Sequence, residues 1–337
     1  MHPSRILNQS LPPSAFRVMK GASGRVYRPL QALQPHRDSK QTVIHARSED
    51  RSWVLKRFPN HVCYDHAHHV NRQLAGCQKI RLVKDKIPKE DTFVYDYFTT
   101  DLKQLMDRVE DRKMRLTAAE GYRILHHIAY GLKELHDRGY MHTNIKPDNV
   151  VVDYKVDYDG CVEISKVKIT DEHKIVYLEG KKDFNPKGSA GPLLVGDEFW
   201  RSPEQQVGFG IGQAADCIKM NPRFMIFEIH PDDRVPDVDL RWQVLERMFK
   251  FFGPAPPAFF DHIGFDSLDK EGQGHLLRLD HPEQRNQREQ FWDWVNTGHA
   301  ETDELIFSFL RKMLTLDPGR RATIDKVLDD PWWDWVN

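Results

Sequence analysis

The sequence has little cysteine, no long apolar run and almost no net charge, and each shortage removes a class of function. Its four cysteines, Cys63, Cys77, Cys161 and Cys217, are scattered without a Cys-x-x-Cys pair, which argues against a disulfide framework or a thiolate zinc site and for free thiols in a reducing compartment. Nowhere do about 18 apolar residues run together, and Met1 to Ala15 lack the apolar stretch of a secretory signal. An intracellular protein, cytoplasmic or nuclear, is therefore expected. A net charge of −1 over 337 residues gives no field for nucleic acid or an anionic membrane surface, so neither is expected as a partner. There is no internal repeat, and a chain of this length makes one large domain or two small ones.

What is present starts with alternation. Thr42 to Arg47 and Ser52 to Phe58 alternate apolar and polar residues around a polar turn at Ser48 to Arg51, the pattern of a hairpin. Further on, Thr117-Ala118-Ala119-Glu120 reads as a capping box, and Ile124, Leu125, Ile128, Leu132 and Leu135 keep one helical face apolar until Gly139 stops the helix. That helix delivers Tyr140 to Asn149, read Tyr-Met-His-Thr-Asn-Ile-Lys-Pro-Asp-Asn, and the apolar run Val150, Val151, Val152 follows.

Tyr140 to Asn149 resembles the catalytic loop of protein kinases. In that loop a His leads, an Asp two residues later accepts the substrate hydroxyl proton, a Lys follows, and an Asn five residues after the Asp holds metal. His142, Lys146 and Asn149 match, but the base position is Asn144. Trp53-Val54-Leu55-Lys56 is similar to the strand whose lysine pairs the ATP phosphates, and Val167 to Asp171 to the strand ending in the metal-binding Asp. Asp91 to Leu102 is similar to the hinge, with Tyr95 as gatekeeper and the backbone of Asp96 and Phe98 as the adenine partners. Glu204 in Ser202-Pro203-Glu204 and Arg321 in Leu316 to Arg321 have the spacing of two late motifs whose side chains form an ion pair, and Asp216 matches the carboxylate that braces the catalytic loop.

The resemblance is to the eukaryotic-type protein kinase superfamily, to its divergent fungal kinase-like members and to features of the cyclin-dependent and SR-protein kinase group. The latter rest on the hinge and on a helix ending Phe252-Gly253-Pro254-Ala255-Pro256-Pro257. It implies an α+β, bilobal protein kinase-like fold, with a tail at 1–15, a small β-rich N-lobe at 16–98 and a larger helical C-lobe at 99–337. ATP and Mg²⁺ are the implied cofactors, and a protein substrate or regulatory partner is implied.

Several departures bear on activity. An amide at Asn144 cannot accept a proton as a carboxylate does, so a pseudokinase or weak kinase acting as a binding module is expected, with an active serine/threonine kinase as the alternative. No Glu occurs between Asp50 and Lys89 to orient Lys56, leaving Asp65 as a substitute. Thr143 replaces the Arg that receives an activation-loop phosphate in many kinases, and Glu172-His173 replace the usual Phe-Gly. The phosphate loop has two registers: one uses Gly21 and Gly24, the other is His36 to Thr42, without glycine. Finally, Asp216 should open a long buried helix, yet Lys219, Asn221, Pro222 and Arg223 follow. Proline inside a helix costs about 3 kcal/mol or more. Either this helix is short and rebuilt, or the chain departs there from the functional gene product.

Overall fold

Alternation around the turn at Ser48 to Arg51 becomes a regular hairpin in the computed structural model, which describes residues 17–35, 42–111, 113–219, 227–279 and 308–336. The chain divides into two units, residues 1–99 and 100–337. The first contains β1 (Met19–Lys20), β2 (Val26–Pro35), β3 (Thr42–Ser48), β4 (Arg51–Arg57), α1 (His61–Gln73), β5 (Asp85–Ile87) and β6 (Thr92–Asp96). They form one antiparallel sheet in the order β1-β2-β3-β4-β6-β5. Period-two alternation puts Tyr27, Ile44, Ala46, Trp53, Leu55 and Val94 into one core. Val54, Phe93 and Tyr95 pack on the other face against Tyr64 and Ala67 of α1, a helix started by Asn60, whose side chain accepts the Cys63 N–H at 2.9 Å.

Strand pairing decides between the two phosphate-loop registers. β2 and β3 pair as far as Pro35 with Thr42, and Thr42 pairs with Arg57, the neighbour of Lys56. The connection at the lysine end of the hairpin is thus 36–41, which lies outside the described residues. Gly21 and Gly24 instead sit in the turn between β1 and β2, at the other end of β2. Asp85 holds that turn, accepting the Ser23 N–H at 3.1 Å and the Tyr27 hydroxyl at 2.8 Å. A Cβ on Gly21 would lie 2.0 Å from the Asp85 carboxylate, so this glycine permits a close side-chain approach. Its assignment, with Gly24, to an ATP phosphate loop is corrected.

The second unit contains β7 (Thr100–Asp101), α2 (Leu102–Glu110), α3 (Ala118–His136), β8 (Tyr140–Met141), β9 (Val150–Val156), β10 (Val162–Ile169), β11 (Val176–Tyr177), α4 (Pro203–Val207), α5 (Ala214–Cys217), α6 (Leu240–Phe252), α7 (Pro257–Ile263), α8 (Lys270–Leu279), α9 (Ile324–Leu328) and α10 (Trp332–Val336). One core here joins Trp242, Leu245, Met248 and Phe249 of α6 to Phe259, Leu276 and Leu316, and Phe309 stacks on Trp332 at 4.4 Å. α3 buries Ile124, Ile128, Leu132 and Leu135. Its capping box is only half formed: Thr117 accepts the Glu120 N–H at 3.3 Å, but the Glu120 carboxylate accepts the Ile164 N–H at 3.0 Å. The side chain expected to close the helix end ties the helix to β10 instead.

Asp216 is fully buried, in an α5 of four residues rather than a long helix. Asn221, Pro222 and Arg223 lie outside the described residues.

Candidate functional site

The first unit carries the candidate lysine, Lys56, and the candidate hinge backbone of Asp96 and Phe98. β4 places Lys56 opposite Val43 and Phe93, with its ammonium 5.5 Å over the Phe58 ring. Asp65, the proposed substitute for the missing Glu, projects from the exposed side of α1, its side chain 61% exposed and 3.4 Å from His61. The helix buries Tyr64, Ala67 and Val70 instead, so Asp65 is not placed to orient a lysine on the sheet. Asp96 ends β6, and Phe98 is buried two residues later.

The catalytic-loop residues assemble in the second unit because β8 and β9 fix the two ends of a ten-residue segment. His142 is fully buried. Its Nε2 donates to the Thr170 carbonyl at 2.8 Å, and its Nδ1 accepts the Asn144 N–H at 3.3 Å. Because the carbonyl can only accept and the amide only donate, this pair of bonds selects one neutral tautomer. Burial pushes the imidazole pKa down in the same sense.

Asn144 is 7% exposed. Its amide nitrogen donates to Asp171 Oδ2 at 3.4 Å, and its amide oxygen accepts the Asp197 N–H at 3.0 Å. Asn149 Nδ2 donates to the Asn144 carbonyl at 2.8 Å and faces Asp171 Oδ2 at 3.5 Å. Asp171 itself has a left-handed backbone, φ 81°, and meets His173 Nδ1 at 2.9 Å. Glu172, in the place of the usual Phe, is buried. Four of the residues singled out in the sequence, His142, Asn144, Asn149 and Asp171, therefore share one hydrogen-bonded network.

The donor set fits a magnesium ion bound with nucleotide. Asn149 directs its amide nitrogen at the Asn144 carbonyl and toward Asp171, so its amide oxygen and the Asp171 carboxylate are the oxygen donors that could serve such an ion. Mg²⁺ keeps several waters and takes phosphate oxygens, so two protein oxygens suffice. Among the described residues no cluster of three or more His, Cys, Asp or Glu could hold a metal by itself.

Lys146 donates to Asp197 Oδ2 at 3.0 Å and lies 3.8 Å from Asp148. Burial alone would lower its pKa, but Asp197, Asp148 and Asp171 outweigh burial and hold it above the usual lysine range. Asp197 escaped the sequence reading. Its carboxylate, 35% exposed, reaches the loop from a segment fifty residues on, with only the spacing to Ser202-Pro203-Glu204 as a signal.

Beneath the loop, Asp216 accepts the backbone N–H of His142 at 2.7 Å and of Thr143 at 3.0 Å, and His136 lies 3.2 Å away. Burial pushes this carboxyl up, yet the His136 hydrogen bond and the nearby Lys219 ammonium hold it below the usual range. Two bonds to consecutive amides hold Thr143 at its left-handed φ of 64°. Lys219 donates to the Thr143 carbonyl at 2.6 Å, and Gln205 Nε2 shares that carbonyl at 3.0 Å. Further off, Glu204 and Arg321, both with fully buried side chains, form a two-pronged pair at 2.6 and 3.0 Å. Arg321 also donates to the carbonyls of Thr315, Ala214 and Leu316, which satisfies its remaining donors.

A β-sheet unit carrying a lysine strand, a mostly helical unit with this loop, a braced Asp216 and the Glu204–Arg321 pair define the eukaryotic protein kinase superfamily fold. Comparison with known proteins agrees. No family model matches the chain. The dual specificity protein kinase CLK4 of Mus musculus and that of Homo sapiens are each 24% identical over 226 residues, covering 61% of this chain and 43% of theirs. The serine/threonine-protein kinase Doa of Drosophila melanogaster is 25% identical over 224 residues, 61% of this chain and 26% of that protein. The matches thus span less than half the length of these relatives. Among solved structures, the PF14_0431 kinase domain matches with a TM-score of 0.63 at 14% identity, covering 91% of this chain and 94% of its own. No helix among the described residues is long and apolar enough to cross a membrane.

Proposed function

We propose that this chain is a pseudokinase or weak kinase: a kinase-fold protein that binds Mg·ATP and serves as a regulatory binding module for a protein partner. The observation that carries this reading is the state of Asn144. Both ends of its amide are engaged, the oxygen by the Asp197 N–H and the nitrogen with Asp171, and an amide oxygen is in any case no base for a hydroxyl proton. Loss of a general base reduces rate by about 10² to 10⁴. Phosphoryl transfer depends mainly on positioning and electrostatics, so slow transfer is compatible with this loop.

On the resemblance to kinases, Lys56, Asn149 and Asp171 are the residues expected to engage nucleotide. Bound Mg²⁺ would supply charge neutralisation for the phosphates. The chain's own residues hold the loop rigid, orient Asn149 through the Asn144 carbonyl, and present Lys146 beside Asp197. Binding and turnover measured side by side test the reading. Mg·ATP binding should be detectable and weakened about tenfold or more by Lys56→Met or Asp171→Asn, without transfer near the roughly 1–100 s⁻¹ of ordinary kinases. Turnover in that range would reject it.

One observation favours the second reading, an active serine/threonine kinase. Asp197 brings a carboxylate to within 3.0 Å of Lys146, beside the residue that lacks one. If the wild-type chain turns over at an ordinary rate and Asp197→Asn abolishes transfer while retaining nucleotide, this second reading replaces the first.

A further inference from the structure

Arg81 is 8% exposed, and two nitrogens of its guanidinium converge on one main-chain oxygen. Nε donates to the Asp96 carbonyl at 3.1 Å, and Nη2 donates to the same oxygen. The guanidinium also lies over two rings of the same stretch, 5.3 Å from the centre of Tyr95 and 5.6 Å from that of Phe98, contacts that gain strength where water is excluded. Lys84 stands 3.6 Å from the Asp96 carboxylate. Arg81 reaches this position from the segment just before β5, so the contact lies wholly within the first unit.

A carbonyl oxygen has two lone pairs. Two N–H groups converging on the Asp96 oxygen use both of them, and the donors are charged, which makes them roughly twice as strong as neutral ones. Under the nucleotide-binding reading, the backbone of Asp96 is where adenine is recognised, and a carbonyl can recognise adenine only by accepting from its amino group. Adenine therefore competes with a guanidinium already in place.

We propose that Arg81 is an internal competitor for the adenine amino group, setting both the affinity and the base preference of the nucleotide site. This rests on the nucleotide reading above. Arg81 lowers affinity for purines that must donate to the Asp96 carbonyl, and leaves unaffected purines carrying an oxo group at that position, which have no proton to offer.

The test is equilibrium binding of ATP and of inosine triphosphate to the wild-type chain and to Arg81→Met; the two bases differ in the 6-amino or 6-oxo group and at N1, an acceptor in adenine and a donor in hypoxanthine, so each nucleotide is compared with itself between the two proteins. Methionine keeps an unbranched stem against Tyr95 and Phe98 and removes every donor. ATP should bind at least tenfold tighter to Arg81→Met than to wild type, with inosine triphosphate changing by less than threefold. Arg81→Lys, which retains a cation and is checked by thermal melting together with the Met variant, should fall between the two. It keeps the test open if the Met variant does not fold. Equal ATP affinity in wild type and both variants would overturn the inference while leaving the nucleotide reading intact. Equal gains for ATP and inosine triphosphate would also overturn it, because Arg81 would then act by bulk and not by hydrogen bonding. No binding of either nucleotide by any form at millimolar concentration would reject the nucleotide reading and the inference with it.

Discussion

Lys219 holds an ammonium among buried groups with one strong acceptor, the Thr143 carbonyl. Burial pushes its pKa down to about 8, with Asp216 and Glu204 opposing the fall. The folded chain thus binds fewer protons than the unfolded one between about pH 8 and the ordinary lysine range, and stability attributable to this group rises with pH across that window. Below it the charged lysine destabilises the fold by about 3 kcal/mol. Replacing a buried charge with an apolar side chain of similar size is often stabilising, and Gln205 still serves the Thr143 carbonyl. Lys219→Met is expected to raise stability by about 1–3 kcal/mol at pH 7 in urea unfolding, with the difference shrinking as pH climbs from 8 toward 10. At this scale the sequence was most and least informative. His142, Asn144, Lys146 and Asn149 were legible because one short loop holds them at fixed spacing. Lys219 and Arg81 were not, because their partners are main-chain oxygens, which carry no residue identity, and Asp197 depended on a fold that returns a distant segment to the loop.

Between elements, the firmest link in the second unit is Glu204 of α4 with Arg321, just ahead of α9. Burial pushes the Glu204 carboxyl up, but the Arg321 charge and hydrogen bonds hold it below the usual glutamate range. The stability it contributes is therefore present above the ordinary glutamate pKa and is lost as pH falls toward its depressed folded value. Glu204→Met or Arg321→Met alone should cost about 3–5 kcal/mol, since each leaves a buried charge unpaired, whereas the double variant should cost less than the sum. Urea unfolding of the four proteins checks this, and additive losses would show that the pair is not coupled. Other relations between elements misled the sequence reading in specific ways. Gly21 and Gly24 have the letters of a phosphate loop, but only the pairing of β2 with β3 reveals that the turn at the lysine end is a different one. Glu120 has the spacing of a capping box, yet a β10 amide reached it first. The helix after Asp216 reads as disrupted because its first residues serve the loop, Asp216 through two amides and Lys219 through a carbonyl.

At the level of the molecule, a kinase fold keeps its structural supports and carries an amide, Asn144, at the position where the resemblance expects a carboxylate. Asp216, His142 and the Glu204–Arg321 pair maintain the loop, and Asn149 and Asp171 keep the arrangement that suits metal and phosphate. Asn144 is built into this network through both ends of its amide. The fold was legible because motifs spread over the chain, from Lys56 to Arg321, each demanded the same architecture, whereas activity turns on single atoms within that architecture. The most direct measurement is γ-phosphate transfer to a generic basic protein at saturating Mg·ATP, comparing the chain with Asn144→Asp at equal concentration. The account predicts that the Asp variant transfers phosphate about 10² to 10⁴ times faster than the wild-type chain, because a carboxylate is restored in a loop otherwise assembled. Rates within about tenfold of each other, with both proteins active, would contradict it, since the proton acceptor would then be dispensable or supplied elsewhere.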